Sequence, residues 1–143
     1  MDERPVGKTK HAELSLDEIA ELQPGMSEYM IMMAHRYHVM YYAVRDGNFE
    51  LGRLQLGGIR KILRNATKTR PKYKDAVEEF SREYLDPIER TMVARSSEDC
   101  RRAIEASIQA GDAFHEKWGY AYIRYRIPES PPPGYLTAPP PKP

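Results

Sequence analysis

The sequence predicts an all-α fold: an antiparallel four-helix bundle with a short N-terminal helix and an extended Pro-rich C-terminal tail. Three observations predict it. Four stretches carry apolar residues at helical spacing. Short runs of helix-stopping residues separate them, and short connections place consecutive helices antiparallel. The one alternating stretch, Tyr120–Ile127, is too isolated to build a sheet. At 143 residues the chain amounts to one domain and is long enough to bury a core.

Residues 1–13 are polar and expected to be flexible. Ser15-Leu-Asp-Glu18 has the capping-box pattern, so a short helix should start there and end at Gln23-Pro24-Gly25. The first long helix is expected from Ser27 to Arg45, with Met30, Met33, Tyr37, Met40, Tyr41 and Val44 recurring after Met26. Asp46-Gly47 stops it and Asn48 can cap the next. The second helix covers Phe49 to Asn65, with Leu51, Leu54, Gly58 and Ile62 on one face. Gly52, Gly57 and Gly58 each weaken it by roughly 1 kcal/mol relative to alanine. That cost points to close approach by another helix or a bound group.

Thr67–Pro71 is the next connection. The third helix, Lys72 to Arg95, puts Tyr73, Val77, Phe80, Tyr84, Ile88 and Met92 on one stripe, and Pro87 should kink or split it. The fourth runs from Ser96 or Ser97 to Trp118, with Ile104, Ile108, Gly111, His115 and Trp118 along one side and Phe114 beside them. The bundle so read spans 14–128. The tail, 129–143, holds Pro131-Pro-Pro-Gly134 and Pro139-Pro-Pro and should be extended on the surface or free.

Lys and Arg number 22 against 21 Asp and Glu, so charge gives no reason to expect a nucleic-acid partner. Ten tyrosines and seven methionines against three phenylalanines make an adaptable, amphipathic interior. Cys100 is the single cysteine, which excludes an intrachain disulfide and a cysteine-based zinc site. No apolar run is long enough for a membrane span, and Met1–Lys10 lacks the apolar region of a signal peptide. A cytoplasmic protein is therefore expected, or a periplasmic one whose signal was removed.

Two segments carry a family resemblance. His35-Arg-Tyr-His38-Val-Met-Tyr41-Tyr-Ala43-Val-Arg-Asp-Gly47-Asn48-Phe49-Glu-Leu51-Gly, followed by Leu54-Gln-Leu-Gly-Gly-Ile59-Arg, resembles a helical hairpin of small bacterial c-type cytochromes of the cytochrome c′-like kind. Gly119-Tyr-Ala-Tyr122-Ile123-Arg124-Tyr-Arg126-Ile-Pro128 resembles the strip that follows their Cys-x-x-Cys-His motif. The resemblance covers roughly residues 25–128 and is weak through the third helix. In its register, Gly111 and Phe114 stand where the two haem-attaching cysteines would be. His115 stands where the proximal ligand would be. With Cys100 far away, no covalent haem is expected.

The resemblance implies a vacated haem pocket, and the leading expectation is that it binds a small organic molecule. Tyr37, His38, Tyr42, Gly111, Phe114, Trp118 and Arg36 are the candidate ligand-binding residues. If a reaction occurs there, His115 is the acid or base, because histidine titrates near neutrality, and Tyr41 would position the substrate. One alternative is a non-catalytic interaction or accessory protein, with the aromatic residues filling the space. Others are non-covalent haem on His115, or a metal on the i, i+3 pairs His35/His38 and Asp112/His115. A homodimer through the first two helices is expected, on the glycine-rich face of the second.

Overall fold

A computed structural model describes residues 4–143. The start of the expected flexible segment, residues 1–3, lies outside the described residues. The rest of it is not featureless. Strands β1 (Val6–Lys8) and β2 (Glu13–Ser15) pair antiparallel, with Val6 opposite Ser15 and Lys8 opposite Glu13. Thr9 closes the turn: its hydroxyl oxygen accepts from the His11 and Ala12 amides, and its own amide donates to the Ala12 carbonyl. Three-residue strands are too short to register as an alternating pattern, so the sequence hides them.

Helix α1 (Leu16–Glu21) begins at the expected capping box. The Ser15 hydroxyl accepts from the Glu18 amide, and the Glu18 carboxylate accepts from the Ser15 amide at 2.7 Å. Helix α2 (Met26–Arg45) ends at Asp46, and Gly47 turns the chain at φ +79°, where a Cβ would be strained. Asn48 then caps α3 (Phe49–Thr69) through the Leu51 amide.

The third segment is divided, as its proline predicts. A 3-10 turn (Pro71–Tyr73) leads into α4 (Lys74–Phe80), a π-helical turn (Ser81–Leu85) and α5 (Asp86–Val93). Pro87 lies in the first turn of α5. It has no N–H to offer backwards and its ring crowds the carbonyl four residues earlier; the wider π turn accommodates both. Helix α6 (Ser97–Lys117) closes the order.

The long helices share one interior. Met40, Val44, Ile59, Leu85, Ile88, Met92 and Ile104 are essentially inaccessible. The face of α3 differs from the expected one: Leu54 is 67% exposed, and Gly52, Gln55, Leu56, Ile59, Ile62 and Leu63 turn inward. Two of the glycines explain the register. A Cβ on Gly52 would lie 2.9 Å from Val44, and one on Gly58 would lie 2.4 Å from the Arg36 guanidinium. Those two glycines seat α3 on α2 within the chain, whereas a Cβ on Gly57 would meet nothing within 4 Å. No helix among the described residues is long and apolar enough to cross a membrane.

Residues 120–127, the one alternating stretch, form no strand, in keeping with their isolation. They leave α6 through a turn and continue as unpaired extended chain. Together with residues 128–138 they form a strap fastened to α2 and α6.

Candidate functional site

The strap organises most of the candidate side chains. Asp112 on α6 holds its start, accepting from the Tyr125 amide at 3.2 Å and pairing with Arg126. The Tyr125 hydroxyl donates to the Ala34 carbonyl on α2 at 2.8 Å. Further along, the Tyr42 hydroxyl donates to the Pro128 carbonyl at 2.8 Å, and His38 Nε2–H donates to the Ser130 carbonyl at 2.7 Å. His35 meets Tyr135 edge to face at 5.6 Å between ring centres. The buried Thr137 hydroxyl donates to Asp46 at 2.6 Å, and the Asn48 amide donates to the Ala138 carbonyl at 3.3 Å.

These contacts decide where the expected site residues go. His115 is half-buried, and its Nδ1–H donates to the Ile123 carbonyl at 3.1 Å. Tyr41 donates to Glu105 at 3.3 Å. Glu105 precedes His115 by ten residues on α6, about 15 Å of helix at the standard rise. The proposed acid-base residue and its positioning tyrosine are therefore not brought together.

Arg36 leaves the set altogether, lying over Gly58 and donating to the buried Gln55 carbonyl oxygen at 3.0 Å. Trp118, expected along the inner side of its helix, is 39% exposed and packs edge to face on Tyr73. Phe114 packs edge to face on Phe80 at the margin of the core. A Cβ at Gly111 would meet nothing within 4 Å.

Tyr37 and Tyr42 are the buried candidates, and of the two Tyr37 belongs to the central core cluster. The Ser107 hydroxyl shares its one proton between the Ile104 carbonyl at 2.6 Å and the Tyr37 oxygen at 3.0 Å. Burial pushes the Tyr37 phenol up to about 12, against the Ser107 bond that favours the phenolate; nearby Tyr125 adds a smaller upward push. Burial alone lifts Tyr125 to about 12. Burial also acts upward on Asp112, but the Arg126 bond and the Tyr125 amide outweigh it and hold the carboxyl below its ordinary range.

The four-residue metal alternative does not assemble. Among the described residues no three His, Cys, Asp or Glu come together as a metal would require. His35, His38, Asp112 and His115 are each engaged with the strap instead. Cys100 is fully buried, and burial pushes its thiol up. It precedes His115 by fifteen residues on α6, about 22 Å of helix at the standard rise.

What the strap does create is concavity on the outside. A cleft of about 480 Å³ lies between α2, α6 and the strap, lined by Tyr41, Tyr42, Glu105, Ile108, Gln109 and Arg126, with Pro128 and Glu129 at its edge. A second, of about 500 Å³, lies along Asp112, Glu116, Arg124 and Arg126. Glu105, Gln109 and Glu129 were not singled out by the sequence. Arg126 carried a usable signal, since a basic residue in the closing strip is expected to pair with a bundle carboxylate. Matched against family models, curated proteins and solved structures, the chain matches none of them.

Proposed function

We propose that the chain is a haem-free, cytochrome-like, antiparallel four-helix bundle that works as a non-catalytic interaction module. The antiparallel reading is supported by two hydrogen bonds between α2 and α6. Ser97 donates to the Val44 carbonyl, and Ser107, ten residues later, meets Tyr37, seven residues earlier. The haem-free reading is supported by Gly111 and Phe114 beside His115 and by the remote Cys100.

One observation carries the functional reading. The polar groups a vacated pocket would offer to a ligand are used inside the chain: Tyr37 on Ser107, Arg36 on Gln55, His38, Tyr42 and His115 on strap carbonyls. A group whose hydrogen bond is already made must give it up to bind a substrate. Absorption and native mass spectra of the protein as purified test this. The expected result is no Soret band and the mass of the bare chain. A Soret band lost in His115→Ala would overturn it in favour of ligated haem.

A second reading, small-molecule binding, is favoured by the cleft at Tyr41, Tyr42, Glu105 and Arg126. Its concavity mixes aromatic walls with two acids, Glu105 and Glu129, and one base, Arg126, as small-ligand sites do. An organic molecule retained in the native spectrum and lost in Glu105→Ala would select this reading over the first.

A further inference from the structure

We propose that residues Pro139–Pro143 of one molecule dock on the aromatic turn Trp118–Ile123 of a second copy, joining molecules head to tail. This deepens the interaction-module reading and rests on it. The turn after α6 displays unusual apolar surface: Trp118, Tyr120 and Ile123 are 39–40% exposed and Tyr122 is 80% exposed. Its rings form edge-to-face pairs, Tyr73 with Trp118 at 4.8 Å and Tyr120 with Tyr122 at 6.1 Å. Exposed aromatic side chains of this kind are what a polyproline II segment recognises, because proline rings stack on them at little entropic cost.

The chain also carries such a segment. Pro139-Pro-Pro-Lys-Pro143 is fully exposed, without secondary structure, and follows directly on the last fastenings of the strap, at Thr137 and Ala138. Lys142 adds a positive charge, and Glu116, exposed two residues before Trp118, supplies a carboxylate for it.

Geometry excludes the same molecule as the acceptor. The strap's last fastenings are on Asp46 and Asn48, at the end of the bundle where Ser97 starts α6 on Val44. Trp118 follows the far end of that 21-residue helix, about 31 Å away at the helical rise. Five residues of polyproline II span about 16 Å. The segment reaches an aromatic turn only on another copy. Because the two surfaces are different patches, the contact closes into a reciprocal pair or a ring where the rotation allows and propagates where it does not.

Complementation tests the proposal with full-length protein and two variants. Sedimentation velocity of the full chain should show average mass rising with concentration above that of the monomer. Deleting Pro139–Pro143 removes one surface; Tyr122→Ser, at a side chain exposed enough to leave the fold intact, damages the other. Each variant should self-associate at least about tenfold more weakly. A mixture of the two should form a 1:1 pair, since each retains the half the other lacks. The peptide Ala-Pro-Pro-Pro-Lys-Pro should shift the emission of Trp118, the single tryptophan, saturably. A full chain that stays monomeric, a deletion variant that associates like the full chain, or a mixture that stays monomeric would each overturn the docking. None of these outcomes depends on whether the spectra of the previous test reveal a bound molecule.

Discussion

Gly57 and Gly58 are neighbours on α3 with opposite surroundings. A Cβ on Gly57 meets nothing within 4 Å, whereas one on Gly58 drives into the Arg36 guanidinium. Gly57→Ala should therefore stabilise the protein by about 0.5–1 kcal/mol, the ordinary gain of replacing glycine inside a helix. Gly58→Ala should forfeit that gain and destabilise by about 1 kcal/mol or more, because Arg36 must move and leave the buried Gln55 oxygen unpaired. Chemical denaturation of the two variants side by side checks both signs. Tyr37 makes a second prediction at this scale. Its folded pKa of about 12 lies above the ordinary value of 10, so its contribution is complete below pH 10 and is lost as pH rises through 12. The loss attributable to Tyr37 should be on the order of 2–3 kcal/mol. In Tyr37→Phe the alkaline slope between pH 10 and 12 should flatten, while stability at neutral pH falls by about 1 kcal/mol for the Ser107 bond.

The strap is the element whose fastening is most easily changed. Asp112 grips both the Tyr125 amide and Arg126, and its carboxyl is held below the ordinary 3.8. A depressed carboxyl contributes stability that is present above its unfolded value and lost as pH falls through the folded one. The protection factor of the Tyr125 amide should fall as pH drops below the ordinary carboxyl range, and Asp112→Asn should lower it at neutral pH. Asn48 serves two elements, capping α3 and holding Ala138, so Asn48→Ala should cost about 1–2 kcal/mol and loosen the strap end in the same variant. The sequence was legible where a local rule sufficed. Ser15 and Glu18 announce α1, Asn48 announces α3, and Pro87 announces a broken third helix. It was not legible where partners lie far apart. Nothing local says that Leu54 faces out, because the α3 face is chosen by Gly52 on Val44 and Gly58 on Arg36. Nor does a Pro-rich segment reveal that its carbonyls will meet His38 and Tyr42. The candidate site suffered most, since Tyr41 on α2 meets α6 at Glu105, ten residues before His115.

At the scale of the whole molecule, helical segments meet in one interior while a non-helical segment fastens them from outside. The proline-free stretch of α2 supplies both surfaces: Met33, Tyr37, Met40 and Val44 turn to the core, and His35, His38 and Tyr42 meet the strap. Losing the strap should therefore loosen α2 more than α3 or α5. Deleting residues 129–143 should lower the melting temperature measurably while leaving the far-ultraviolet helical signal nearly intact. The strap's bonds also join residues 86 to 92 apart in sequence, among the most distant in the chain. Contacts that close so long a loop form late. On the ribosome, the side chains of α2 that wait for Pro128 and Ser130 are made first and their partners last. A chain interrupted before those residues would have helices but an uncovered row of tyrosine and histidine, a mark by which cellular proteases can tell an unfinished product from a finished one.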